Sequence, residues 1–440
     1  MISVKGSRRG VYVLTSEQKM ETPSLPEVRA IATGAFGRVY AARLASGNTV
    51  AIKCTRARGV SEYRCLCLLG HARIPHTISA IAALRNAGPP LLPEPCELAI
   101  AMTHVHGTTL REHLIARAIL GQPMDMALVR QWTAQLVDFL LHIQVGIAYP
   151  CWIEASYHFD QVKLGLSHDD LKLGNIMVEN QRELKIVDFT FAGPKPADEW
   201  HCGTLCYMPP ERLFYTTRPP YATLAGPDIW AVGVLLSTLT LTAQPLGNML
   251  TAREAFLVTD EQGRFDPSRT NTVYDLVSDR EAWFANAAQG LAESSGLDVD
   301  LIKQGIRLIL WCRARLAEGQ RSQFRLPPVD DASMIGFGST PLCRLLSDNL
   351  GAIVRAYDET GSKVYERVWE HMRQRMGEEL YSVWRGTQNW SPRTRGTLDE
   401  LQRRIGIYPG VSPLAQDEAS RFPPPLLQDR VDLFIDVLEQ

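Results

Sequence analysis

A chain of 440 residues, 45% hydrophobic and 21% charged, has ample material for a core and for two or three ordinary domains, or one large domain with insertions. Its formal charge of −2 gives no sign of nucleic-acid binding or of a polybasic membrane anchor. The longest apolar run, "IWAVGVLLSTLTL" from Ile229, is too short to span a bilayer, and the N-terminal segment lacks an apolar stretch of signal-peptide length. The nine cysteines are scattered, and the close pairs Cys65/Cys67 and Cys202/Cys206 have no second pair at zinc spacing. They are expected to be reduced thiols of an intracellular protein, cytoplasmic or nuclear.

Residues 1–26 form a polar lead-in with one strand-like piece, "VYVLT". From Glu27 strand-like pieces alternate with turns: "VRAIATGAFGRVYAARL", then "GNTVAIKCTR", with Gly47 and Asn48 as the hairpin turn between them. "SEYRCLCLLGHARI" places Tyr63, Leu66 and Leu69 at helical spacing, and "CELAIAMTHVHG" alternates like a strand. An amphipathic helix is predicted over 126–147, and beyond Pro227 further helices over 228–241, 281–294, 299–317, 341–357, 363–384, 396–405 and 427–438. The pattern is a small strand-rich front and a large helical back.

Several residues in this frame could carry chemistry. Gly34 and Gly37 in "ATGAFGRVYAAR" would let backbone N–H groups approach phosphate oxygens, although a plain glycine hairpin reads the same way. Lys53 ends the strand "VAIK" and can pair with phosphates, held by Glu62 at the start of the next helix. In "HDDLKLGN", Asp170 can orient a substrate hydroxyl, Lys172 can neutralise a transferring phosphoryl group, and Asn175 can bind a metal through its amide oxygen. Asp188, closing the strand "LKIVD", is a hard carboxylate suited to Mg²⁺. Any one of these could be a solvated surface group; the ordered set is hard to obtain by chance.

Together these residues resemble the eukaryotic-type protein kinase superfamily, and the likeness runs from about Glu27 to about Ile405. "ATGAFGRV" resembles the nucleotide-binding loop, "VAIK" the phosphate-anchoring strand, "HDDLKLGN" the catalytic loop and "DFT" the metal-binding tripeptide. "GTLCYMPPE", ending at Glu211, resembles the end of the activation segment, and "DIWAVG" the start of the long helix beneath the catalytic loop. The resemblance implies an α+β, two-lobed fold with a small antiparallel-sheet N-lobe over 27–105 and a large helical C-lobe over 106–410. A helical insertion of about 245–385 lies within the C-lobe, and 411–440 forms a tail with a helix. The implied activity is Ser/Thr protein kinase chemistry with Mg²⁺ and ATP on a protein substrate. The catalytic residues would be Asp170 and Lys172, and the metal ligands Asn175 and Asp188. Nucleotide would be held by Ile31, Gly34, Ala35, Phe36, Gly37, Val39, Ala51, Lys53, Glu62 and Met102. A pseudokinase scaffold and a small-molecule kinase are the alternatives.

Four departures stand out. Ala32 replaces the first loop glycine, and Thr190 replaces the glycine after Asp188-Phe189, where a β-branched residue would be stiff and costly at positive φ. Asp169 replaces the arginine that in many members pairs with a phosphorylated activation segment, and "FAGPKPADEWHCG" before Thr204 has no Ser, Thr or Tyr. Independence from such phosphorylation is therefore expected; Asp198 and Glu199 could serve as fixed negative charges, but a solvated acidic loop is the simpler reading. The partner of Glu211 is expected at Arg395 in "SPRTRGTLDEL", with Arg269 in "FDPSRT" competing. Finally, long insertions lie between helix 126–147 and His168 and between Asp228 and Arg395. The Trp and Leu or Val stripes of the second insertion suit core packing, or else a partner-protein surface. Divergence and insertions of this size would suit a virus- or pathogen-encoded kinase acting in a host cell.

Overall fold

The computed structural model describes residues 12–13, 28–43, 47–55, 58–89, 92–145, 165–193, 200–215, 218, 222–246, 258–269, 272–277, 281–316, 318–322, 324, 326, 341–361 and 363–406. They fall into two compact units, one within residues 12–74 and 78–105, the other within 75–77 and 106–406.

The first unit is a six-stranded sheet with one helix. Its strands are β1 (Tyr12–Val13), β2 (Val28–Gly34), β3 (Gly37–Arg43), β4 (Thr49–Thr55), β5 (Ala80–Ala87) and β6 (Cys96–Thr103), in the order β1-β5-β6-β4-β3-β2. All pairings are antiparallel except that of the two-residue β1, which runs parallel to β5. Side chains alternate between the two faces of a strand. Tyr40 and Ala42 of β3 therefore share one buried cluster with Val50, Ile52 and Cys54 of β4. Gly47 turns the β3–β4 hairpin at φ 87. Helix α1 (Gly59–His71) packs on β5 and β6 and buries Tyr63, Leu66 and Leu69, the three positions whose spacing predicts it.

The second unit holds a three-stranded antiparallel sheet, β7 (Gly107–Thr109), β8 (Ile176–Glu179) and β9 (Glu183–Ile186). Its described α-helices are α2 (Leu110–Ile119), α3 (Met126–Val145), α4 (Pro210–Phe214), α5 (Gly226–Leu241), α6 (Ala282–Ser295), α7 (Val299–Ala314), α8 (Glu318–Arg321), α9 (Pro341–Glu359), α10 (Val364–Thr387) and α11 (Leu398–Ile405). The centre is α5, buried along its whole length. It carries hydroxyls into the core because Ser237, Thr238 and Thr240 each donate to the carbonyl four residues earlier, at 2.9, 3.1 and 2.8 Å. Around it Trp230, Tyr274, Trp311, Tyr365 and Trp384 are all fully buried and meet ring against ring. The Trp311, Val368 and Met372 side chains of the inserted stripes lie inside this core.

The 363–384 helix is not continuous: Gly377, at φ 67 and ψ 169, breaks α10 into two segments. The predicted helix 427–438, most of the insertion before His168, and Asp198 and Glu199 lie outside the described residues. None of the eight cysteines among the described residues forms a disulfide, and burial pushes the Cys65 thiol up to about 12 and Cys67 to about 11. No described helix is long and apolar enough to cross a membrane.

Candidate active site

In the first unit the β2–β3 hairpin closes between Gly34 and Gly37, with Ala35 and Phe36 as the turn. The two glycines answer different demands. A Cβ on Gly37 would sit 2.1 Å from the Cys54 carbonyl oxygen, so β4 alone requires glycine there. A Cβ on Gly34 would meet nothing within 4 Å, which leaves open space above that backbone. The register slips between Ala30 and Ala32, so Ile31 is the bulged residue, 44% exposed. Across the sheet Val39 pairs with Lys53, and Ala51 pairs with Met102; Ala51 and Met102 are buried.

Lys53 is held on the central strand β4, and its Nζ donates to Glu62 Oε1 at 2.7 Å. Lys53 and Glu62 are 6% and 1% exposed, so each depends on the other for its charge. Glu62 stands in the first turn of α1, where the helix dipole favours an acid.

In the second unit the loop 165–175 runs into β8 and carries a dense polar network. Asp170 is 5% exposed. Its Oδ2 accepts from Lys172 Nζ at 2.8 Å and Asn175 Nδ2 at 3.0 Å, and its Oδ1 accepts from Thr204 Oγ1 at 2.7 Å. Lys172 Nζ also donates to Thr204 Oγ1 at 2.9 Å. A carboxylate bonded on both oxygens has its plane fixed before any substrate arrives.

His168 anchors the loop. Its Nδ1 accepts the Asp170 N–H at 3.3 Å while Nε2 donates to the Val187 carbonyl at 3.2 Å, an arrangement only the neutral ring provides. Complete burial lowers its pKa, in agreement. The His168 and Asp169 backbone N–H groups both donate to Asp228 at the start of α5, at 2.8 Å each. Burial, with Asp169 nearby, raises the Asp228 carboxyl to about 7 against those two donors.

Asp188 lies close to Asn175 in the chain path, because Val187 N–H donates to the Asn175 carbonyl at 3.0 Å. The Asn175 amide nitrogen is spent on Asp170, at its carbonyl (2.9 Å) and its carboxylate, which turns the amide oxygen to acceptor duty. Thr190 Oγ1 donates to Asp188 Oδ1 at 2.6 Å. Thr190 is not at positive φ, so its β-branch carries no such cost here, and the left-handed residue is Asp188 itself, at φ 63. Among the described residues no group of three or more His, Cys, Asp or Glu forms a metal cage. One amide oxygen and one carboxylate suit a hard cation that takes its remaining ligands from phosphate and water.

Two residues the sequence does not single out belong here. Thr204 is the shared contact of Asp170 and Lys172. Arg212, directly after Glu211, forms a buried ion pair with Asp169. Behind them Arg395, not Arg269, meets Glu211, with Nη1–Oε1 at 2.5 Å and Nη2–Oε2 at 2.8 Å. Arg269 pairs instead with Asp266 at 3.7 Å on a partly exposed turn.

A family model described as "Protein kinase domain" matches residues 26–289. Among curated proteins, the "Mitosis inducer protein kinase cdr1" of Schizosaccharomyces pombe is 34% identical over 110 residues, 22% of this chain and 18% of that protein. The "Serine/threonine-protein kinase cds1" of the same yeast is 27% identical over 186 residues, 40% of this chain and 35% of that protein. The "Putative cyclin-dependent kinase F-2" of Oryza sativa is 28% identical over 281 residues, 60% of this chain and 72% of that protein. The chain thus spans well under half the length of the two yeast relatives.

Proposed function

Since the chain belongs to the protein kinase domain family, we propose that it is a serine/threonine protein kinase that moves the terminal phosphoryl group of ATP to a protein hydroxyl. The observation that carries this reading is the Asp170 carboxylate, held on both oxygens by Lys172, Asn175 and Thr204. So held, Asp170 orients the incoming hydroxyl and takes its hydrogen bond. Lys172 sits 2.8 Å from that carboxylate with its side chain 31% exposed, able to swing its ammonium toward the transferring group. Lys53, fixed by Glu62, pairs with the α and β phosphates, and the open backbone at Gly34 admits phosphate oxygens. Asn175 and Asp188 would hold Mg²⁺, which when bound neutralises charge on the phosphates.

Serine or threonine specificity rests on Lys172 two residues after Asp170, and on the relative named a serine/threonine kinase. Independence from activation-segment phosphorylation rests on residues 191–203, which contain no Ser, Thr or Tyr. Asp170→Asn and Lys53→Met each remove transfer, by about 10²-fold or more for the former, with circular dichroism unchanged. Retained transfer in either variant refutes the assignment. Phosphatase treatment leaves wild-type activity intact; loss of activity through a site in residues 189–203 refutes the independence.

A further inference from the structure

Asp169 is the one residue of the 165–175 loop with both an inverted charge for its position and a strained backbone, at φ 66. Its surroundings are built for it. Arg212 Nη2 meets Oδ1, Ser167 Oγ donates to Oδ2 at 2.5 Å, and the Asp169 N–H is held by Asp228. Both charged side chains are sealed, at 3% exposure for Arg212 and 1% for Asp169. The pair reaches further through Arg212. Its Nη1 donates to the Cys202 carbonyl at 3.1 Å, and its guanidinium lies 4.9 Å from the Trp200 ring centre. Trp200 Nε1 in turn donates to the Glu211 carbonyl at 3.1 Å. Between these contacts Gly203 packs so tightly that a Cβ would stand 2.4 Å from the Asp169 carbonyl oxygen. The next residue is Thr204, which holds Asp170.

We infer that Asp169 and Arg212 form an internal clamp that sets the segment 200–204 against the 165–175 loop, and so positions Thr204 and Asp170 without a covalent modification. This inference rests on the kinase reading for its catalytic consequence, though not for its geometry. An exchangeable phosphate receptor would need an accessible arginine. Arg212 is buried and already committed to a carboxylate and a carbonyl, and the cavity beside it holds only about 10 Å³. Asp169 and Arg212 are positioning residues: they act through the backbone on either side of the working groups. Backbone at φ 66 is expensive for a side chain larger than glycine unless its contacts over-determine it. Here the carboxylate is held by a guanidinium and a hydroxyl, and the residue's own N–H by Asp228.

The test compares wild type with Arg212→Met, Arg212→Lys, Asp169→Asn and the double variant Asp169→Asn/Arg212→Met, reading kcat and KM for ATP per folded molecule together with backbone amide exchange. Arg212→Met is expected to lower kcat by about 10²-fold, as a misplacement near 1 Å can, with KM for ATP unchanged. Arg212→Lys recovers part of the loss. The double variant is less impaired than Arg212→Met, because no carboxylate is left buried without its partner. Amides at 169–170 and 200–204 exchange faster in Arg212→Met. A variant with lowered melting temperature but wild-type kcat overturns the positioning role. Unchanged exchange at those amides overturns the clamp even if the wild-type protein has no transferase activity, so its failure is separable from failure of the kinase reading.

Discussion

Replacing Arg395 by methionine keeps most of the side-chain volume and removes the charge that Glu211 was folded against. The pair is sealed, with side chains 2% and 1% exposed, and Arg395 also donates to the Gly226 carbonyl at 3.0 Å and stacks over Trp230 at 5.1 Å. An orphaned buried carboxylate costs about 3–5 kcal/mol. At about 2 °C per kcal/mol for a large cooperative unit, that is a fall in melting temperature of about 6–10 °C. Arg269→Met is the matched control. Its contact with Asp266 is 3.7 Å long and the side chain is 40% exposed, so about 0–1 kcal/mol and at most about 2 °C is at stake. Arg395→Lys should fall between them, because an ammonium cannot reproduce the paired fork. Calorimetric unfolding of the three variants at neutral pH reads the difference. If Arg269→Met costs as much as Arg395→Met, or if Arg395→Met costs less than about 1 kcal/mol, the reasoning that ties residues beyond the family-model match into the second unit's core is wrong.

Thr190→Val deletes the 2.6 Å hydrogen bond to Asp188 with little change of shape. The Mg²⁺ concentration for half-maximal activity should rise about tenfold, and an unchanged requirement would mean the hydroxyl does not orient the carboxylate. His168 gives a pH signature. Burial lowers its folded pKa below 6.5, so the unfolded chain takes up the proton first as pH falls. The stability contributed by the neutral ring is complete above 6.5 and is lost below it, by up to about 1.4 kcal/mol per pH unit. Asp228, raised to about 7, acts with the opposite sign, contributing stability at low pH that is lost as pH rises through that value. The quantity to measure is therefore the difference between wild type and His168→Asn in urea unfolding. Relative to the variant, wild type weakens as pH is lowered from 7 toward 5, and parallel curves would show that the ring does not titrate this way.

What could be read from the chain was whatever chemistry ties to short spacing. Asp170, Lys172 and Asn175 must stand within one loop to bond one another, and the strand and helix patterns around Lys53 and Glu62 announce themselves locally. Helix α2 was not among the predicted elements, although Thr109 and Glu112 form a reciprocal cap whose pattern stands in "TLRE". Contacts between distant residues were another matter. Glu211 and Arg395 are 184 positions apart, and only the leucine-bearing helical segment after "SPRTR" favoured Arg395 over Arg269. Asp169 was visible as a departure, but its partner Arg212 lies 43 residues on. Gly37 suggested room for a ligand, whereas its constraint comes from the register that puts Cys54 O opposite it. The positive φ of this turn falls on Asp188 and not on Thr190, because backbone angles depend on how the whole turn is seated.

The central claim is that this chain transfers phosphate to protein hydroxyls through Asp170. Its most direct measurement is incubation of the purified protein with γ-labelled ATP, Mg²⁺ and a generic protein substrate, followed by identification of the labelled amino acid, beside Asp170→Asn. The account predicts label on serine or threonine from wild type and loss of it from the variant. Label that persists in Asp170→Asn, or thermal stabilisation of wild type by ATP with no label transferred, would contradict it.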